Sequence, residues 1–160
     1  MTPHAITKAI GQAWPCVTAE DIERRMLGEI VLTADEGMQR DQITDLSLFG
    51  HAALSALERG QATDIDVNNL AVIVNVAMLL CEIGYGVEVL DTMVAGQHAV
   101  KALQQRQART GRGVATGPEL LAIREVIALH DQQLEMQPTA RQMRAVIEEL
   151  KRRQKAGGIL

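Results

Sequence analysis

The side chains best suited to metal binding or nucleophilic attack are few in this sequence and far apart. Histidine occurs as His4, His51, His98 and His130, and cysteine as Cys16 and Cys81. No two histidines are three or four residues apart, so no helix turn presents a pair of imidazoles. The His-Glu-x-x-His pattern of zinc enzymes is missing, as are the Glu-x-x-His pairs of di-iron bundles and the Gly-x-Ser-x-Gly nucleophile turn. His130 falls on an apolar stripe and reads as a hydrogen-bonded core histidine. Asp131 lies about 100° further round the same helix and need not touch it. Cys81 sits in the most apolar segment and reads as a small core residue, whereas Cys16 follows Pro15 with no base near it in sequence. Without a Cys-x-x-Cys pair, a reducing cytoplasm is expected and a disulfide framework is not. These residues predict a non-catalytic protein that needs no metal and no organic cofactor.

Residues 107–121, QARTGRGVATGPELL, hold three glycines and two arginines and invite comparison with phosphate-binding loops. The comparison fails on spacing. Gly111 and Gly117 are six apart where a Walker-type loop needs five, and Pro118 stands where its lysine belongs. A dinucleotide loop reads Gly-x-Gly-x-x-Gly after a strand; this stretch has one residue too many and a helix before it. A turn between two helices explains the same residues. Gly111 ends the first helix, and Gly113 is expected to turn the chain back with a positive φ. Thr116 caps the next helix, with Glu119 as its capping-box partner and Pro118 in the first turn. Arg109 and Arg112 remain candidate anion ligands beside that helix start.

The elements that must carry these residues are helical. The chain has 160 residues, 47% of them apolar, and only three aromatics, Trp14, Phe49 and Tyr85. That length fits one domain, and a core of Leu, Ile, Val, Met and Ala favours packed helices over a sandwich of sheets. A capped helix is predicted from Thr2 to about Ala13, closed by Pro15. A second follows Thr18, with Leu27, Ile30, Val31, Ala34 and Met38 on one face. The third runs from Ile43 to Arg59, with Ile43, Leu46, Gly50, Ala53, Leu54 and Leu57 on one stripe and Gly60 as its stop. Residues 66–83 are apolar nearly all round, which places them at the centre of a bundle; Asp64 or Asp66 is read as the cap and Gly84 as the stop. Three more helices follow, over about 85–110, 118–136 and 139–155. The prediction is therefore an all-α single-domain bundle of six to seven helices. It has a short N-terminal helix or arm (1–17), and a tail (156–160) that frays or docks on a partner. Buried positions are expected at Leu70, Ile73, Ala77, Leu80, Ile123, Ile127, Met143 and Ile147. The N-terminus shows no secretory signal pattern, and the longest nearly apolar run, residues 70–81, is too short to span a bilayer.

Charge divides the chain. Residues 1–100 carry 14 acids and 5 bases, and residues 101–160 carry 6 acids and 11 bases. Either two ends of one domain differ in their solvated faces, or an acidic face meets a basic partner. In the last helix Arg141, Arg144, Lys151, Arg152, Arg153 and Lys155 follow a tight MQPT turn, a pattern open to a DNA-binding helix-turn-helix. Glu148 and Glu149 on that helix oppose this reading. Asn75, inside the central apolar helix, must find a hydrogen bond within the bundle or across a homodimer.

Residues 70–136 also carry Leu80-Cys81-Glu82 with Gly84, Gly86 and Glu88, then Arg106 with Arg109-Thr110-Gly111-Arg112, then His130-Asp131 with Gln133-Leu134. This pattern resembles a group of small helical proteins encoded by phages, plasmids and islands of Gram-negative bacteria. The resemblance brings no functional residues with it, but it implies a mobile-element context. Accessory genes there often encode regulators or inhibitors of host defence, including anti-CRISPR proteins. The combined expectation is a protein that binds a host protein complex, itself nucleic-acid-handling. Acidic residues Glu20, Asp21, Glu23, Asp64 and Asp66 would meet a basic groove, and Trp14 with Ile159 and Leu160 would act as apolar anchors, core burial being the competing reading of Trp14. Direct binding of nucleic acid through Arg152 and Arg153 is the alternative.

Overall fold

Three threonine side chains set where helices of this chain begin. The computed structural model describes Thr18 and residues 36–160. Among these residues it contains five α-helices: α1 (Arg40–Glu58), α2 (Asp64–Glu82), α3 (Leu90–Thr110), α4 (Gly117–Glu135) and α5 (Ala140–Lys155). A 3-10 turn, Val87–Val89, leads into α3. The main-chain N–H of Thr63 donates to Asp66 Oδ2, that of Thr116 to Glu119 Oε2 and that of Thr139 to Gln142 Oε1, each at 2.8 Å. In return each threonine hydroxyl accepts from the third residue's N–H at 3.2–3.4 Å. These reciprocal bonds satisfy donors that a helix start otherwise leaves open. For α2 this corrects the sequence reading: Thr63 is the cap, Asp66 is its reciprocal partner, and Asp64 lies exposed in the first turn. Thr63 holds the extended conformation that a capping residue needs.

The all-α class expected from the sequence holds. The five helices correspond to the last five of the seven segments read above; the helices expected over 2–13 and after Thr18 lie outside the described residues. The end of the latter is nonetheless corrected. Met38 is not on a helix face. Residues 36–38 run extended beside the α4–α5 link, with Met38 N donating to Pro138 O and Ala140 N to Glu36 O, both at 3.1 Å. That pairing buries Met38 against the core from outside any helix.

Helix α2 packs against α1, α3, α4 and α5. Every residue from 69 to 81 is buried, as befits a helix that is apolar nearly all round. By length and composition α2 is apolar enough to cross a membrane, with a mean hydropathy of 1.5, but 78% of that stretch is buried inside the fold. Its neighbours each offer one stripe. Phe49 and Leu54 come from α1, Met93, Val100 and Leu103 from α3, Ile123 and Ile127 from α4, and Met143, Ile147 and Leu150 from α5. All eight positions expected in the core are buried. Each fully buried Leu, Ile or Met contributes about 1.5–3 kcal/mol of transfer free energy, so this shared interior dominates the stability of the fold.

Two connections differ from expectation. Gly111 does adopt the left-handed conformation, at φ +70°, and ends α3. Gly113 does not; it pairs in an isolated antiparallel bridge with Ala62, and a Cβ at Gly113 would stand 2.8 Å from Ala62 O. Glycine is required there by the close approach of two loops, not by its φ. The tail is the second case. Ile159 and Leu160 are half-buried against the core, with Leu160 O held by Asn75 Nδ2 at 2.8 Å. The segment expected to fray or to dock on a partner lies against its own chain.

Candidate functional site

Ser47 and His51 stand one turn apart on α1, on the same face. Asp131 of α4 meets both: Ser47 Oγ donates to its Oδ1 and His51 Nε2 lies against its Oδ2, each at 2.7 Å. The three types match those of a nucleophilic triad, but the order is wrong. A triad places the imidazole between serine and carboxylate so that it takes the serine proton. Here the carboxylate lies in the middle, so Ser47 is held by an acceptor already bonded to histidine and is not activated. The arrangement fixes the ring of His51, whose side chain is 51% exposed, and ties α1 to α4.

Beside it runs a groove of about 610 Å³ lined by Arg40, Ile43, Thr44, Ser47, Leu48, Asp131, Glu135 and Gln137. A shallower recess lined by Gln39, Arg40, Asp41, Thr44 and Asp45 adjoins it. Ile43 and Leu48 supply an apolar floor, and Asp41, Asp45, Asp131 and Glu135 outnumber Arg40 on the rim. Gln137, which turns the chain at the mouth of the groove, has a positive φ of 53°. Sequence reasoning singled out none of these positions as a site. Its one available signal was the pairing of Ser47 with His51 at i, i+4.

In the glycine-rich turn a carboxylate of the chain itself stands at the start of α4. Arg106 of α3 reaches across the turn, with Nη1 donating to Val114 O at 2.8 Å and the guanidinium gripping both oxygens of Glu119 at 2.7–2.8 Å. The Glu119 carboxylate therefore occupies the start of α4, where a phosphate would sit. Its hydrogen bonds from Arg106, aided by those from Thr116, hold its pKa down to about 2. Arg109 and Arg112 flank this turn, exposed.

The other candidate residues are dispersed. Trp14, Cys16, Glu20, Asp21 and Glu23 lie outside the described residues. Asp64 and Asp66 sit at the start of α2, at the end of α1 remote from the groove, and Asp66 is engaged in capping. Arg153 bridges Glu82 of α2 and Glu149, and Arg152 grips Glu149 through two bonds of 2.7 Å. Arg124 likewise binds Glu58 at 2.6 Å. Part of the charge division along the sequence is thus resolved inside the fold, by bases of the later helices pairing with acids of the earlier ones.

Among the described residues, two of the buried polar groups are centred on Gln133 and Asn75. Gln133 donates through Nε2 to Ala77 O at 3.0 Å and Tyr85 O at 2.8 Å, with Cys81 Sγ at 3.2 Å. Its amide hydrogens are directed at those carbonyls, so its Oε1 can only accept. His130, 3.1 Å away through Nδ1, therefore carries its proton there. His130 Nε2 is buried with no hydrogen-bond partner among the described residues. Burial pushes the His130 pKa down and the Cys81 thiol up. In the second centre Asn75 donates to Leu160 O and accepts from Gln97 Nε2, both at 2.8 Å, so its partners lie within the bundle. Among the described residues no group of three or more His, Cys, Asp or Glu is placed to hold a metal ion.

The chain matches no family model, no curated protein and no solved structure.

Proposed function

We propose that this protein is a non-catalytic interaction module, encoded by a mobile element and acting in the cytoplasm. In this reading it inhibits a host nucleic-acid-handling or defence complex by occupying a basic groove of that complex. The observation that carries the reading is the α1 groove, an apolar floor of Ile43 and Leu48 under a rim with Asp41, Asp45 and Glu135. Charge complementarity of this kind speeds encounter and selects the partner, while the apolar floor supplies contact area. The acidic face proposed from the sequence thereby moves to α1 and the end of α4. The mobile-element resemblance of residues 70–136 supplies the context.

Pull-down from host lysate with mass spectrometry identifies a stoichiometric partner. The affinity of that purified partner is then compared for the unaltered chain and the Asp41→Lys/Glu135→Lys variant. The variant is expected to bind at least tenfold more weakly, and nucleic acid should compete with the unaltered chain. Recovery of no stoichiometric partner removes the reading; a partner whose affinity ignores the charge reversal removes the groove as its site.

One observation favours a second reading, direct binding of nucleic acid. Arg141, Arg144, Arg152 and Lys155 are all exposed along α5, a basic ridge at helical spacing. Against it, α5 packs chiefly on α2 instead of pairing with α4 as a helix-turn-helix would. If this reading holds, Arg144→Ala with Lys155→Ala flattens the salt dependence of duplex binding by about two charges. Absence of any duplex binding at low salt discards it.

A further inference from the structure

Helix α5 carries its charge unevenly. Its buried stripe, Met143, Val146, Ile147 and Leu150, separates two flanks. One flank carries Gln142, Glu149 and Arg153 and is tied to the end of α2 and the link after it: Arg153 binds Glu82, and the Tyr85 hydroxyl donates to Gln142 Oε1 at 2.6 Å. The other flank carries Arg141, Arg144, Lys151, Arg152 and Lys155, with Glu148 as its one acid. These positions recur at helical spacing, so the five bases form a single ridge. Glu149 reaches Arg152 from the first flank and offsets one of the five. Among the described residues α5 packs chiefly on α2.

The chain delivers its own acids to the start of this ridge. Gly37 pairs antiparallel with Thr139, and Ala140 N donates to Glu36 O, so Glu36 stands at the first turn of α5. In an antiparallel pairing the residues before Glu36 leave in the direction in which the chain enters α5. Residues 20–36 carry six acids, Glu20, Asp21, Glu23, Glu29, Asp35 and Glu36, against two bases, Arg24 and Arg25. The lengths also match. Helix α5 has 16 residues and is about 24 Å long, and residues 20–35 span that distance even at a helical rise. At that rise Glu20, Asp21 and Glu23 come level with Arg152 and Lys155.

We propose that the basic ridge of α5 is the docking surface of this chain's own residues 20–35, whose acids stand where the phosphates of a nucleic acid would lie. The segment is tethered at Glu36, so its effective concentration at the ridge is high and individually weak ion pairs suffice to hold it. Nucleic acid or a second copy of the chain then reaches the ridge only by displacing the segment. This inference stands apart from the α1 groove and does not depend on it.

The test treats the full chain with a water-soluble carbodiimide, which joins lysine amines to carboxylates in direct contact, and maps the products by mass spectrometry. In the monomer fraction Lys151 or Lys155 is expected to be joined to Glu20, Asp21 or Glu23, whereas Lys101, exposed on α3, is not. Absence of these links overturns the proposal and leaves the ridge to nucleic acid. Links formed only between chains, read as mixed pairs in a blend of ordinary and heavy-nitrogen protein, overturn it in favour of a second copy. Amide hydrogen exchange gives a readout independent of the lysines. Arg144→Glu/Arg152→Glu/Lys155→Glu is expected to speed exchange across residues 20–34 by about tenfold, as the simultaneous loss of several exposed pairs would. Adding Glu20→Lys/Asp21→Lys/Glu23→Lys should restore the slow exchange. Unchanged exchange in a triple variant that keeps its helical circular dichroism spectrum overturns the proposal. If that variant unfolds, the cross-links in the unaltered chain decide alone.

Discussion

Gly96 of α3 and Val126 of α4 meet so closely that a methyl group on Gly96 would overlap Val126 Cγ2. A glycine in mid-helix costs roughly 1 kcal/mol relative to alanine, so its presence here needs a reason, and the close approach of the two helices provides it. Gly96→Ala is therefore expected to destabilise by about 1–3 kcal/mol despite the better helix former, because the core is overpacked. Val126→Ala should relieve it. In urea denaturation the double variant is expected to be more stable than the sum of the single effects by about 1 kcal/mol or more. Strict additivity would show that the two helices part without cost.

The Arg106–Glu119 clamp predicts a response to acid. Glu119 titrates ordinarily near 4.5 and in the fold at about 2. Its contribution is therefore fully present above about pH 4.5 and is lost as pH falls towards 2. Arg106→Gln should destabilise at pH 7, modestly because the pair stays partly solvated. The gap between the two chains should close as pH approaches 2. A gap independent of pH would mean that Arg106 acts through packing alone.

A second window lies higher. His130 has its pKa lowered by burial, so below the ordinary value of 6.5 only the unfolded chain readily takes up the proton. Stability is complete above pH 6.5 and declines below it, by at most about 1.4 kcal/mol per pH unit. His130→Leu lacks this limb. Urea midpoints at pH 7.5 and 5.5 should differ less in the variant than in the unaltered chain; equal differences would place the titration elsewhere.

Cys81 should be inert while the protein is folded. Its thiol is fully buried, with its pKa raised first by burial and then by Glu88. In a Cys16→Ser background, iodoacetamide at pH 8 is expected to leave Cys81 unmodified in buffer and to alkylate it completely in concentrated urea. Rapid labelling in buffer would show that the end of α2 opens on its own.

What the sequence reveals of this protein is what is local. Thr116, Glu119, Pro118 and Gly111 declare a helix end and a helix start within nine residues, and the structure follows them. The stripe through Ile123, Ile127, His130 and Leu134 is visible because helical periodicity repeats within a few turns. The groove is not local. Ser47 and Asp131 are 84 positions apart, and their meeting depends on how α1 docks on α4. Arg106 reaches Glu119 across a turn whose geometry, not its composition, brings them together. Gln133 adjoins an apolar stripe and was therefore open to recognition as a buried polar residue. Its partners Ala77 O and Tyr85 O are main-chain atoms and leave no mark in the sequence. The docked tail was hidden for the same reason, since a main-chain oxygen, that of Leu160, is its principal anchor.

The central position of α2 has a consequence for how the chain is made. Of its four helical neighbours among the described residues, only α1 precedes it; α3, α4 and α5 are all synthesised later. About 70 residues separate the end of α2 from Leu150, so at roughly 5–20 residues per second the ribosome takes several seconds to deliver the last covering stripe. During that interval the most apolar segment of the protein is exposed on a nascent chain. Biosynthetic yield, more than the equilibrium stability of the finished molecule, should therefore be sensitive to slow codons between residues 83 and 150 and to the supply of a holding chaperone.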